Sequence, residues 1–310
     1  MTSFGYFLSC EEFRPKELVD QAKMAADAGF ERLWISDHYH PWNDTQGQSP
    51  FVWSVIGALS EAVDLPVTTA VTCPTVRIHP AVIAQAAATA AVQLDGRFVL
   101  GVGSGEALNE HILGDPWPSA GVRLEMLEES IEVIRKLHEG GVVNHRGKHY
   151  TVEGARIYTL PEQPVPIYLS AFGPKAVELA GRVADGFVCT MPDAELLSSY
   201  RSAGGRGPAQ GGFKVCYSGR ETAHRIWPNS GLPGELSQVL PMPRHFEQAS
   251  QLVTEDQLDL PVGQDVGAYV DTVRSFEEAG FDEVYVANIG PQQQEFFEFW
   301  RTKVLPEVAS

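Results

Sequence analysis

Positive charge is scarce in this chain: 23 lysines and arginines stand against 40 aspartates and glutamates, a formal net charge of −17. Nucleic acid and anionic membrane surfaces both require cationic patches, so neither is an expected partner. Cysteine is also rare. Cys10, Cys73, Cys189 and Cys216 are scattered with no C-x-x-C pair, which argues against a disulfide framework or a cysteine zinc site and suits a reducing compartment. No apolar run reaches the length of a membrane span. The opening Met1-Thr2-Ser3-Phe4-Gly5 has no basic or long apolar leader region, so the expectation is a cytoplasmic protein. A P-loop, a G-x-S-x-G elbow and a G-x-G-x-x-G after the first strand are all missing. Gly101-x-Gly103-x-Gly105 is glycine-rich but lacks the dinucleotide-fold setting. A phosphorylated ligand remains compatible with the acidic chain, because backbone amides at a helix N-terminus hold an anion locally.

What the sequence does have is rhythm. Short β-rich runs at 4–8, 32–36, 66–71, 98–102, 166–169, 186–189, 213–217 and 283–287 predict eight strands. Helical spacing predicts helices over 15–28, 51–63, 80–94, 123–138, from 174 onward and over 292–304. In the helix over 123–138, Leu124, Leu127, Ile131, Ile134 and Leu137 share one face, with Glu125, Glu128, Glu129 and Glu132 turned away. Residues 142–152 read as a hairpin turning near Arg146-Gly147. Eight strand–helix units predict one closed (β/α)8 barrel spanning residues 1–310. The Pro-, Gly- and Ser-rich stretch 219–264 breaks the rhythm and reads as an insertion after strand seven, at the substrate rim.

The unusual residues fall just after the strands. Ser36-Asp37-His38-Tyr39-His40-Pro41-Trp42 follows strand two, and Val71-Thr72-Cys73-Pro74 ends strand three. Gly103-Ser104-Gly105-Glu106-Ala107-Leu108-Asn109-Glu110 follows strand four, and Ser170-Ala171-Phe172-Gly173-Pro174 follows strand five. Barrel enzymes keep their chemistry on this rim. His38 and Glu106 form a candidate acid–base pair, since histidine titrates near neutrality and a partly buried glutamate is pushed toward it. Asp37 is placed to orient a ring or meet a ligand. Either side chain could instead be structural: His38 a satisfied rim histidine, Glu106 a carboxylate favoured by a helix N-terminus. His38-x-His40 also permits a zinc hydrolase, although Pro41 ends the strand whose period would align the two rings. Trp42, Trp53, Trp117 and Phe172 are candidates for lining a flat apolar pocket or for ordinary core packing.

Taken together, the Asp37-His38…Trp42 and Gly105-Glu106-Ala107-Leu108-Asn109-Glu110 segments resemble the luciferase-like flavin and deazaflavin oxidoreductases. The similarity is greatest to the group around F420-dependent glucose-6-phosphate dehydrogenase. Thr72-Cys73-Pro74-Thr75, His79-Pro80-Ala81, Ala184-Asp185-Gly186 and the hairpin near Arg146-Gly147-Lys148-His149-Tyr150 fit the same group, nearly end to end. The resemblance implies hydride transfer between a hydroxyl or carbonyl substrate, a sugar or sugar phosphate among the options, and C5 of coenzyme F420. FMN is the alternative cofactor, for a reductase or monooxygenase. It implies His38 as base, Glu106 serving the proton at deazaflavin N1, and Trp42 steadying the transition state. It also implies cofactor contacts at Asp37, Ser104, Gly105, Asn109, Ala171, Phe172 and Gly173, and a non-prolyl cis peptide at Ala70-Val71 behind the central ring. Relatives of this kind imply a homodimer. The pattern departs after strand six, where the sugar-phosphate enzymes carry a lysine and this chain reads Thr190-Met191-Pro192-Asp193-Ala194-Glu195. Lys214 and Arg274 are the substitutes to look for.

Overall fold

The structure is a computed structural model that describes residues 2–309. Eight parallel strands close into a barrel: β1 (Ser3–Leu8), β2 (Arg32–Ile35), β3 (Val67–Thr69), β4 (Phe98–Val102), β7 (Ile167–Ser170), β8 (Gly186–Cys189), β9 (Ala209–Val215) and β10 (Glu283–Asn288). Their order around the barrel is β1-β10-β9-β8-β7-β4-β3-β2. The (β/α)8 architecture expected from the rhythm is therefore present. The remaining strands, β5 (Val143–Arg146) and β6 (Thr151–Ala155), form an antiparallel hairpin outside the barrel.

Alternation along each strand divides the residues between two environments. In β1, Tyr6 and Leu8 point outward into the core shared with the helices, where Tyr6 meets Phe30 and Phe297. Gly5 and Phe7 point inward. The interior is floored by Trp34 stacked on Tyr285, 4.3 Å apart and nearly parallel, with Phe7 edge-on to Trp34. So large a pair fits only because glycines flank it: a Cβ at Gly5 would lie 2.2 Å from Tyr285, and one at Gly212 would lie 2.3 Å from Trp34. Below the rings, Gln210 accepts from Trp34 Nε1 at 2.8 Å and donates to Glu283 at 2.8 Å, while Tyr285 donates to the same carboxylate at 2.7 Å. This end of the barrel is a closed plug.

Four features differ from the sequence expectation. β9 begins four residues before the predicted 213–217 run, because Gly211-Gly212 reads as a break but serves as space for rings, Phe276 outside and Trp34 inside. The helix predicted over 123–138 starts at Ala120, and its Glu129 is not a free solvent-side carboxylate. Glu129 accepts from the backbone N–H groups of His149 and Tyr150 at 2.9 and 2.8 Å and meets His145 at 3.1 Å, pinning the hairpin to the barrel. Helices Ala194–Ser202 and Val266–Ala279 were not anticipated. Asp193 opens the first of these by accepting from the N–H groups of Glu195 and Leu196 at 2.9 and 3.0 Å, an ordinary N-cap.

Residues 219–264 fold as short helical pieces that clasp the mouth from two sides. Ile226 O accepts from Asn43 Nδ2 at 3.0 Å and Gln46 Nε2 at 3.2 Å, and Glu247 accepts from Asp44 N at 3.1 Å. Across the opening, Arg123 donates to Gln238 at 3.0 Å.

Candidate active site

The loop after β2 is held by Asn109. Its Oδ1 accepts from the N–H groups of Tyr39 and His40 at 2.9 and 3.1 Å, which fixes the amide so that Nδ2 is the donor. That nitrogen lies 3.1 Å from His38 Nδ1 and 3.4 Å from Glu106 Oε2. His38 and Glu106, widely separated in sequence, thus converge on one atom at the barrel mouth. The backbone geometry around Glu106 depends on glycine. Gly105 has φ +76°, and a Cβ there would lie 2.5 Å from Cys73 Sγ; a Cβ at Gly103 would lie 2.7 Å from Val71. Ser104, Gly105 and Glu106 are partly exposed.

The other ring nitrogen of His38 faces Glu11: Nε2 is 3.4 Å from Oε1. Glu11 is buried and accepts from Ser36 at 2.6 Å and Ser9 at 3.0 Å. Burial alone would raise its pKa, but His38 and these hydroxyls outweigh that and hold it below the ordinary value. Asn109 donates to Nδ1 and a carboxylate faces Nε2, so the tautomer these partners favour carries its proton at Nε2 and has its Nδ1 lone pair engaged by Asn109. His40 O also lies 3.2 Å from Nδ1, and the pinned amide of Asn109 is the better-defined partner. The Trp42 ring sits 5.1 Å from that of His38 and is braced edge-on by Phe246, also at 5.1 Å.

Asp37 is enclosed, with a side chain that has no solvent exposure. It accepts from Thr72 Oγ1 and from Arg77 Nη2, both at 2.8 Å. Arg77 in turn donates its backbone N–H to Glu110 at 2.7 Å, and its Nε lies 3.5 Å from the same carboxylate. Burial pushes Glu110 up to about 7 against the opposing pull of Arg77. The Ala70–Val71 peptide is cis, at the carboxyl end of β3. On the same rim, after β7, which pairs with β4, Ala171 is buried, Phe172 is 46% exposed, and Gly173 N-caps helix Pro174–Val183 without any side-chain cap and with open space around its missing Cβ.

Not every candidate joins this cluster. His40 turns away, its Nδ1 on Leu108 O at 2.9 Å and its ring beside His111. His38 and His40 therefore share no ligand set, and no group of three metal-ligating side chains occurs among the described residues. Trp53 borders an outer groove between two helices and Trp117 lies under Arg123, so the four aromatic candidates do not line a single pocket. Arg274 is exposed on helix Val266–Ala279, whereas Lys214 borders a cavity at the mouth. Glu11, Glu12, Arg77 and Glu110 were not singled out from sequence. The first two lie three and four residues past the end of strand one, on the same rim as the other candidates.

Residues 2–224 match the family described as luciferase-like monooxygenase. Similar full-length proteins include the F420-dependent glucose-6-phosphate dehydrogenase of Microbacterium testaceum (strain StLB037), 36% identical across 98% of this chain and 97% of the relative. That of Nakamurella multipartita is also 36% identical, across 98% and 96%. Among solved structures, an F420-dependent secondary alcohol dehydrogenase in complex with an F420-acetone adduct superposes with a TM-score of 0.90 at 29% identity, covering 99% of each chain. The F420-dependent tetrahydromethanopterin reductase of Methanopyrus kandleri shares the fold, with a TM-score of 0.78 at 22% identity. On the extent of these matches, the chain belongs to the luciferase-like monooxygenase family.

Proposed function

We propose that this protein is an F420-dependent oxidoreductase that interconverts a hydroxyl and a carbonyl group on a small molecule. The observation that carries the proposal is the convergence of His38 and Glu106 on Asn109 Nδ2, with Glu11 behind the histidine. The residues present fit the cofactor. Gly103 and Gly105 let the turn before Glu106 close on Val71 and Cys73 while Ser104 to Glu106 stay partly exposed, and the uncapped N-terminus at Gly173, with open space around it, offers amides to a phosphate. Ala70, Val71, Ser104 and Asn109 would border the ring, Ala171, Phe172 and Gly173 the phosphate, and Asp37 would steady the site through Thr72 and Arg77.

When bound, the deazaflavin supplies a site at C5 that accepts or releases a hydride. The protein handles the protons. His38 Nδ1 takes the substrate hydroxyl proton once that hydroxyl has replaced Asn109 Nδ2 as its partner, and Glu11 stabilises the imidazolium that results, because an ionised carboxylate already faces Nε2. Glu106 holds the second proton, on the far side of Asn109. Trp42, clamped by Phe246 from the 219–264 segment, keeps water from His38. That segment acts as the cover of the substrate rim. A homodimer is the working assembly, supported by the outer groove in which Phe51 and Val82 are more than half exposed. A cytoplasmic location is the working expectation for the protein.

The test is a titration of purified protein with F420, followed by turnover on an alcohol and ketone panel. Tight binding with cofactor reduction by an alcohol is the expected result. A yellow protein carrying FMN, or a protein that ignores F420, would overturn the assignment.

A further inference from the structure

The mouth opens on one side into a cavity of 780 Å³ that the catalytic cluster does not use. It reaches from the inner face of β1 and β9, over the carboxyl ends of β8 and β9, to helix Val266–Ala279. Its wall is mixed, with Phe7, Met191 and Trp227 beside Thr190, Ser230 and Gln257, and just two charged residues border it, Lys214 and Asp259.

Strand parity places Lys214. Gln210 and Gly212 face the barrel interior, the first bonding Trp34 and the second leaving room for it. Two residues further on, Lys214 faces inward at the mouth. Its ammonium lies 4.5 Å over the Trp227 ring, which attracts it weakly and cannot accept its three N–H bonds. Glu11 and Glu12 attract it from a distance, but their oxygens are engaged elsewhere: Glu11 with Ser9, Ser36 and His38, Glu12 with Trp227 Nε1 and Gly290 N–H. Among the described residues the Lys214 ammonium makes no hydrogen bond and has no carboxylate within 4 Å. Lys214 is partly exposed where it borders the cavity, so its ammonium is open to an acceptor on a ligand. The surroundings also say which kind of oxygen. Glu11 and Glu12 act on this one cation and Asp259 borders the same cavity, so a phosphate dianion gains less here than beside a cluster of cations, and an uncharged oxygen meets no such opposition. The Thr190–Glu195 stretch adds no cation.

We propose that Lys214 selects the substrate: an uncharged alcohol or ketone with an apolar body and a second oxygen that accepts a hydrogen bond from the ammonium, sugar phosphates being rejected. The proposal rests on the oxidoreductase assignment above and names the substrate class of that site.

The experiment compares hexan-2-ol, hexane-2,5-diol and glucose 6-phosphate as substrates of the F420-loaded wild-type enzyme, then repeats the comparison with Lys214→Met and Lys214→Gln. The diol is expected to exceed the mono-alcohol in kcat/KM by about tenfold or more, as one charge-assisted hydrogen bond allows, with glucose 6-phosphate the poorest of the three. Lys214→Met should raise KM for the diol by about tenfold, to the level of the mono-alcohol. It should leave KM for hexan-2-ol and the Kd for F420 unchanged. Lys214→Gln, which keeps a donor, should fall between. Equal use of the two alcohols by the wild type, a preference for the phosphate, or an equal loss on both alcohols in the variants would overturn the proposal. The wild-type ratio decides alone if Lys214→Met does not fold. Failure of the wild type to bind F420 overturns the parent assignment and this one with it, and so is told apart from a failure of substrate choice.

Discussion

On the β2–β4 side of the barrel mouth, Asp37 has no solvent exposure and both its oxygens are engaged, by Thr72 and by Arg77, with Glu110 paired to Arg77 behind it. On the β8–β10 side, Lys214 stands over an aromatic ring without a protein hydrogen-bond acceptor among the described residues, partly exposed and bordering a 780 Å³ cavity of mixed lining. A buried carboxylate with both oxygens engaged, as in Asp37, resists movement and holds its neighbours to one geometry. A partly exposed cation that borders a cavity and has no protein acceptor is free to meet a ligand. The first side therefore fixes the chemistry and the second admits the substrate. If that division is right, substitutions on the first side reduce kcat or unfold the protein, and substitutions on the second change KM.

The largest effect is expected at His38. His38→Ala removes the base and should lower kcat by about a thousandfold, while F420 still binds, as a fluorescence titration would register. A loss of cofactor binding together with turnover would mean that His38 holds the ring and does not act on the substrate. Next is Arg77. Arg77→Met leaves Asp37 a buried, unpaired carboxylate, and truncating one partner of such a pair costs about 3–5 kcal/mol. Denaturant unfolding should show that loss, and the comparison fails if the variant is as stable as the wild type.

The two sides were unequally legible in the sequence. Parallel barrel strands are short apolar runs between helices, so the eight-strand rhythm shows without any contact information. The residues after strands two to five can be read as rim residues once the strands are placed. Lys214 could not be oriented that way. Its inward direction depends on the frame of β9, and Gly211-Gly212 hides the start of that strand because what fills the space is the ring of Trp34 or Phe276 from elsewhere in the chain. Arg77 and Glu110 meet only through the closed barrel, and no local spacing announces a pair made by two loops. Glu129 shows the same limit on the outside: its helical position says solvent, and the hairpin that covers it is set by chain returning about twenty residues later.

Glu12 lies between the two sides and supplies a pH test. Burial, opposed by the donors Trp227 and Gly290, pushes it up to about 7 from 4.5. Between those values the folded protein keeps a proton that the unfolded chain has released, so stability falls as pH rises through that window, by roughly 3 kcal/mol for this group. Glu110 adds a decline of the same sign. Below 4.5 the trend reverses at Glu11, whose lowered pKa makes its contribution disappear on acidification. Glu12→Gln keeps an acceptor for Trp227 and should remove about half of the decline between pH 5 and pH 8 in denaturant titrations. An unchanged slope would assign the pH dependence to Glu110 or to groups outside the mouth.

The smallest effect is expected at Met191, which borders the cavity and is 41% exposed. Truncating a half-exposed side chain leaves stability within about 0.5 kcal/mol, so Met191→Ala should melt with the wild type. What it removes is apolar wall on the substrate side. Contact of that kind is made equally in the ground state and the transition state, and its loss should raise KM for a substrate with an apolar body by up to about tenfold while kcat stays the same. Steady-state kinetics on hexan-2-ol would show the split. If kcat fell in step with the rise in KM, the cavity wall would be acting on the reacting carbon itself, and the two sides of the mouth would have to be treated as one site.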